Sequence, residues 1–511
     1  MHEKFNAVVF DEWRGALSQL ENALNSFSNM SRALYQAIDE SHLGSIDHLS
    51  IEKVILRVHA SMDLIYSFEN KITETRAIVH RVLNRSTILS PISTLPAEIL
   101  TQIFALAIPP SEQLCDIYDD LPPHPLDVIP SVCAKWRGLS VATSSLWANI
   151  HVNNGYLTTR ENDSMLNRTR LWLERAAFSP LDLYIREVVE EDVGNESDLV
   201  AILEPHLSRV TSLTLCDTSQ ELFGIIVNLV AKRRTPGALI HLTVANVLLK
   251  LTGNSADPEP IPRRFVWPAD KIHGLVELVL TDLPHLICPT LDELVALLSA
   301  SPNLRVLHLK YLASSSNHNF EYPRIRIPNL QVLKIGPINQ QMLLKIISCL
   351  YLGVLELDLE LFFGKDMHYS EYVDMLLPFL ARSNIVALSL QSLRAICTSY
   401  VASALACVPH LKFLTLDLAM PGSSDSLETL TRSTAGNMFE SRLPNLRRLT
   451  LLDFNIGATA KLRLKRIVDC YKLDEVIFDC GSMIVRDSVE DMDADDFLAW
   501  LKQRVGTVVY E

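Results

Sequence analysis

The densest run of acidic side chains is Asp487-Ser488-Val489-Glu490-Asp491-Met492-Asp493-Ala494-Asp495-Asp496, whose alternating acids from Asp491 suggest a calcium loop. Such a loop needs a glycine at its sixth position for the sharp turn and a glutamate at its twelfth to close the coordination sphere. Asp496 and Lys502 stand there instead, so calcium chemistry fails. Nine cysteines, at 115, 133, 216, 288, 349, 397, 407, 470 and 480, form no Cys-x-x-Cys and have no histidine cluster beside them. They read as small buried apolar residues in a reducing compartment. The fifteen histidines are dispersed. Gly-x-x-x-x-Gly-Lys, Gly-x-Gly-x-x-Gly, Gly-x-Ser-x-Gly and His-Glu-x-x-His are all missing, so phosphate cradles, nucleophile elbows and zinc-protease sites have no sequence support. A cysteine nucleophile paired only in space stays open, with no local signature pointing to one. The expectation is a chain that is not an enzyme and needs no cofactor or metal.

What remains is the chemistry of contact. At 511 residues and 48% hydrophobic, the chain can bury large cores in two or three domains. A net charge of −14 argues against a nucleic-acid binder, because phosphate contacts need clustered Lys and Arg. The basic knots Lys232-Arg233-Arg234 and Arg447-Arg448 are short and read as solvated faces. No apolar run is long enough to span a bilayer, and Met1-His2-Glu3-Lys4-Phe5 lacks the layout of a secretory signal. A cytoplasmic or nuclear protein is expected.

The most specific element lies between Ile92 and Trp147. Ile92-Ser93-Thr94-Leu95-Pro96-Ala97-Glu98-Ile99-Leu100 is followed by Ile103-Phe104, then by Val132-Cys133-Ala134-Lys135-Trp136-Arg137 and Leu146-Trp147. Pro96 and Glu98 suit the first turn of a helix. Ile99, Leu100, Ile103, Phe104 and Ala107 recur at helical spacing up to the stop at Pro109-Pro110, which predicts about three turns. A second helix is predicted from about Val128 to Ser140, with Val128, Val132, Cys133, Trp136 and Leu139 on one side. Two such helices cannot enclose a core alone, so their apolar stripes must face each other, the next segment or a partner. Ser111 to Pro125 reads as a surface loop.

This ordered set resembles an F-box, the module that plugs a substrate receptor into a Skp–cullin–F-box ubiquitin ligase. The resemblance implies that Leu95, Pro96, Ile99, Leu100, Ile103, Val132, Cys133 and Trp136 bind the ligase's small adaptor subunit, some of them serving instead as internal core. The loop from Ser111 lengthens the gap between the helices beyond a compact F-box.

Upstream, Phe10, Trp13, Leu17, Leu20, Leu24 and Phe27 alternate at spacings of three and four, and Leu34 and Ile38 resume the pattern after Ser31. Ile51, Ile55, Val58, Met62, Ile65, Ile72 and Val79 make a second seam, interrupted by Glu69 and Arg76. Residues 1–89 therefore predict an antiparallel helical hairpin with a turn at Ser41–Ser45, its seam closing on itself or, alternatively, in a homodimer. Thr87 to Ser93 is the expected hinge.

Downstream, Leu-x-x-Leu-x-Leu recurs with its central residue at Leu307, Leu333, Leu414 and Leu449, each phrase preceded by Pro-Asn or Pro-His. Weaker copies centre on Leu213, Leu242, Leu278, Leu355, Leu388 and Val476. The array resembles the leucine-rich-repeat family, without its usual asparagine three residues beyond the last leucine. It implies parallel strands on a concave face and helices on a convex one, with Leu307 and Leu309 inward. The expected fold is α/β: a helical hairpin (1–89), an all-α F-box-like segment (90–155), a linking helix (156–180) and an irregular repeat solenoid (181–511) with an acidic C-terminal cap.

The function implied is a ligase adaptor that holds a client protein on the strand face through Glu277, His308, Lys334, Glu356, Asp358, Asp417 and Arg448. Acids outnumber bases there, which points to a client segment bearing Lys or Arg. The rival is a repeat scaffold outside ubiquitin chemistry, in which the F-box-like helices only cap the array.

Overall fold

A computed structural model describes residues 2–43, 48–84, 91–108, 124–153, 159–186, 196–232, 239–248, 264–312, 324–338, 340–362, 369–391, 398–417, 427–428, 430, 443–452, 458–479 and 492–510. The turn around residues 44–47, most of the expected hinge, the loop over 109–123 and the acidic stretch up to Asp491 lie outside them. The chain forms two compact units, Met1–Pro96 and Ala97–Glu511.

The first unit holds α1 (His2–Leu43), α2 (His48–Ala60) and α3 (Met62–Asn84). The second seam, expected as one helix, breaks at Ser61, whose amide bonds the carbonyl of Val58, three residues back, rather than that of Arg57, four back. Seam side chains Phe10, Trp13, Leu17, Leu20, Leu24 and Phe27 are all exposed, so self-closure of the hairpin is not seen among the described residues.

The second unit begins with α4 (Ala97–Ala107), α5 (Pro125–Val132) and α6 (Ala134–Ala142), then a 3-10 turn over Ser144–Trp147. The single helix expected from Val128 to Ser140 is two. Cys133 between them is extended, and its Sγ accepts the Trp136 amide at 3.4 Å, so it caps α6 instead of lying on a helix face.

The strands are β1 (Asn149–Asn153), β2 (Leu181–Arg186), β3 (Val210–Cys216), β4 (His241–Ala245), β5 (Glu277–Leu283), β6 (Val306–Leu312), β7 (Ile325–Ile327), β8 (Val332–Ile335), β9 (Leu350–Leu352), β10 (Leu357–Phe362), β11 (Ile385–Gln391), β12 (Phe413–Asp417), β13 (Arg448–Leu452), β14 (Glu475–Asp479) and β15 (Thr507–Tyr510). All but β7 and β9, which pair with each other, join one parallel 13-stranded sheet in chain order. Helices α7 (Thr159–Arg175), α8 (Glu196–Leu203), α9 (Gln220–Lys232), α10 (Leu291–Ser299), α11 (Gln340–Cys349), α12 (Tyr369–Arg382), α13 (Thr398–Ala406), α14 (Ala458–Cys470) and α15 (Met492–Arg504) connect them. The arrangement is repeat-like and mixed α/β.

Register explains the leucine phrases. Leu183, Leu213, Leu242, Leu278, Leu307, Leu333, Leu359, Leu388, Leu414, Leu449 and Val476 form one buried row across the strands. A second buried row, two residues on, contains Leu309, Ile335, Leu361 and Leu390. Residues between them alternate to the open face, as the two-residue period of a strand requires. Against this core α10 buries Leu291, Leu294, Leu297 and Leu298, and it starts with a capping box between Thr290 and Glu293.

Three expectations are corrected. The copy centred on Leu355 is out of frame: Leu359 sits in the buried row while Leu355 is 40% exposed. Moving the centre turns the flanking spacings from 22 and 33 residues into 26 and 29. The sheet also starts one strand early, with β1 inside the F-box-like stretch, and ends one late, because the C-terminal cap supplies β15. The missing asparagine is matched by a different device. Asp217, Asn246, Asp282 and Tyr311, each two residues past a buried side chain of the second row, adopt positive φ near 50° in four successive repeats, a conformation Asn and Asp reach most easily after Gly.

Truncation separates the two frames. Leu359→Ala should lower unfolding stability by about 2–5 kcal/mol and Leu355→Ala by less than about 1 kcal/mol, read by urea titration; equal losses would restore the original frame.

Candidate functional site

On α4, Leu100 and Phe104 are buried, while Ile99 and Ile103, each the residue just before one of them, are 41% and 38% exposed. On α5, Leu126 and Ile129 are buried and Val128 and Val132 exposed. Trp136 on α6 is half-buried, its ring 4.9 Å from that of Phe104. Each helix thus divides its apolar residues between an internal core and an outward stripe. Of the eight residues implied for adaptor binding, Ile99, Ile103, Val132 and Pro96 are exposed, and Leu95, Cys133 and Trp136 half-buried. Leu100 is wholly buried and is among those that serve as internal core.

Beneath this stripe the helices are riveted to the sheet. Trp147 is fully buried, its indole N–H donating to the carbonyl of Ser140 at 2.7 Å. Its ring meets Trp172 of α7 at 5.9 Å and lies under the Arg175 guanidinium at 4.3 Å. His124, which caps α5 by accepting the Leu126 amide on Nδ1, packs on Trp172 at 4.7 Å and on His151 of β1 at 5.4 Å. Arg168 stacks on Trp172 and reaches Asp127. Helix, strand and linking helix therefore belong to one body.

Burial, then the neighbouring His151 and Arg168, lowers the His124 pKa to about 3. Burial also lowers that of His151 to about 4, against the pull of Asp182 and with Arg168 adding to the depression. Both imidazoles are held neutral, and His124 must be neutral to accept the Leu126 amide.

The open sheet face is the second surface. Its rows bring Glu277, His308, Lys334, Asp358, Asp417 and Arg448 outward, as expected, and add Lys310 and Glu360. Glu356 is not on a strand; it precedes β10 and takes the Lys412 ammonium at 2.6 Å, because the frame there is shifted. Glu360, which the shifted frame concealed, is the hub: Lys310 donates to it at 2.9 Å, Lys334 lies at 3.3 Å and Gln391 at 3.2 Å. Burial alone would raise its pKa, but the two lysines hold it below the ordinary carboxylate value. Burial raises that of Asp358, and burial with Lys334 lowers that of His308 to about 4. Other side chains pair across neighbouring strands, His241 hydrogen-bonding Glu277 at 3.0 Å and Arg448 forming an ion pair with Glu475. In the outward rows seven acids (Asp182, Glu277, Asp358, Glu360, Asp417, Glu475, Asp479) face four fixed bases (Arg186, Lys310, Lys334, Arg448). The face is net acidic but internally paired.

Among the described residues no cluster of His, Cys, Asp and Glu is arranged to hold a metal, and no helix is long and apolar enough to cross a membrane. Neither a protein-family model nor a curated protein matches the sequence.

The buried histidines set an acid limit. A histidine whose pKa falls on folding contributes stability above its unfolded value of 6.5 and loses it as pH drops toward its folded value. Stability should therefore fall below about pH 6.5 by up to about 1.4 kcal/mol per pH unit for each histidine. Urea midpoints down to about pH 5 check this, and His151→Phe should flatten the slope.

Proposed function

We propose that this chain is a substrate-recognition adaptor of a Skp–cullin–F-box ubiquitin ligase. Residues 95–147 bind the ligase's small adaptor subunit, and a leucine-rich-repeat-like solenoid presents a client protein on its open strand face. The observation that carries the reading is the outward apolar stripe of Ile99, Ile103, Val128 and Val132 on helices whose inward residues already form a core. A mere cap has no need to leave these side chains in water, where each isoleucine forgoes the gain from burying its remaining surface. The packed joint at Trp147 and Trp172 suits an adaptor that fixes the distance between ligase and client, so that proximity supplies the rate. The chain itself performs no catalysis in this scheme and works in the cytoplasm or nucleus.

The same joint favours a second reading, a scaffold outside ubiquitin chemistry in which α4–α6 only close the first edge of the sheet. Co-purification with the small adaptor subunit separates the two. Wild-type chain should form a stoichiometric complex, weakened at least about 100-fold by Ile99→Asp/Ile103→Asp, and lost also with Leu95→Ala/Pro96→Ala, while circular dichroism stays unchanged. Well-folded wild type that forms no complex would favour the scaffold.

The acid excess on the open face supports a client segment bearing Lys or Arg. In fluorescence anisotropy, Lys/Arg-rich extended peptides should bind more tightly than Asp/Glu-rich ones. Asp358→Lys/Asp417→Lys should abolish that preference; its survival would remove these rows as the contact.

A further inference from the structure

α1 leaves a regular apolar seam uncovered, and its flanking residues specify what fits it. Phe10, Leu17 and Leu24 occupy one heptad position, and Trp13, Leu20 and Phe27 the other, all exposed, with Phe10 and Trp13 touching at 5.9 Å between ring centres. We propose that α1 pairs antiparallel with α1 of a second copy of this chain, about a two-fold axis between Ser18 and Gln19. This inference is independent of the ligase reading.

The chain's own α2 and α3 are the poorer occupant. Their seam carries Glu69 and Arg76, and folding α1 onto it would bury both charges against apolar side chains that offer no compensating bond. The α1 seam is uncharged throughout, Ser31 being its single polar residue between Phe10 and Ile38. Two copies of α1 therefore desolvate no charge in the core of the contact.

The flanks then choose the orientation. In antiparallel pairs the residue after each second core position faces its own counterpart, and the residue before each first core position does the same on the other side. With Phe10 level with Phe27 of the partner subunit, Trp13 meets Leu24 of the partner subunit and Leu17 meets Leu20 of the partner subunit. That register sets Arg14 beside Glu21 of the partner subunit, and symmetry repeats the ion pair. On the opposite flank Ala16 faces Ala23 of the partner subunit, again twice, and these small residues let the helices approach closely. A parallel pair would place Ala16 against Glu21 and Val9 against Arg14 and would make no ion pair.

The area is sufficient. Six half-free seam side chains, Phe10 to Phe27, offer on the order of 100 Å² each. Two copies cover about 1,200 Å², at the lower end of the range for stable interfaces. A lipid surface is the weaker partner, because α1 carries six acids against three bases, the wrong sign for anionic membranes.

Sedimentation velocity of the full chain over a concentration series tests this. The wild type should be a dimer, and Leu17→Asp/Leu20→Asp a monomer with the same thermal unfolding of the sheet unit. Arg14→Glu or Glu21→Arg alone should raise the dimer dissociation constant about tenfold, and Arg14→Glu/Glu21→Arg together should restore it. A wild type that stays monomeric overturns the proposal, whether or not it then binds vesicles of phosphatidylcholine and phosphatidylserine. So does a dimer untouched by the leucine changes. Dimerisation that ignores the charge swap overturns the antiparallel register.

Discussion

Everything in the larger unit depends on one steric condition: parallel strands must stack in register so that leucines from each meet leucines from the next. The row from Leu183 to Val476 meets it with a single residue type at almost every place. A parallel strand cannot be joined to its neighbour by a tight hairpin, so each connection must climb away from the sheet and return. The chain uses the return journey to lay helices against the buried leucines. Sheet, helices and spacing of 26 to 36 residues between centres are thus consequences of the same requirement. Stability in such an array is the sum of neighbour contacts rather than the property of one centre.

The open face is bound by a different rule. Its charges sit on neighbouring strands, and several have an opposite neighbour: Lys310 and Lys334 around Glu360, and Arg448 with Glu475, while His241 hydrogen-bonds Glu277. Glu360 is nearly buried yet charged because two ammonium groups converge on it, Lys334 from the neighbouring strand β8 and Lys310 from β6 beyond it. This pairing holds the lysines in place and leaves a modest acidic excess spread along the rows.

Much of this was legible in the sequence, and the failures have identifiable causes. Leucine phrases announced nine of the buried centres because the strand period and the burial requirement agree there. Leu355-Glu356-Leu357-Asp358-Leu359-Glu360-Leu361 misled because four leucines in strict alternation fit the phrase in more than one frame. Only the distance to Leu333 and Leu388 could have chosen between them. Cys133 looked like a helix-face residue, since nothing in composition separates a cysteine that packs from one that caps. Ion pairs such as Lys310 with Glu360, fifty residues apart, depend on register and are invisible until the strands are laid side by side. The histidine–tryptophan joint drew on His124, His151, Arg168 and Trp172, which share no motif.

The rows of the open face also form a ruler. Strands repeat every ~4.8 Å across the sheet, whereas an extended polypeptide presents a side chain to the same side every ~6.8 Å. Laid across the strands, such a polypeptide falls back into step only after about seven strands, or ten of its own residues. A sheet of 13 strands therefore offers it about two coincident anchor points, with unmatched stretches between them. Two chains that differ only in the spacing of those anchors would be told apart by length, as a vernier tells apart two scales, even where their compositions were identical.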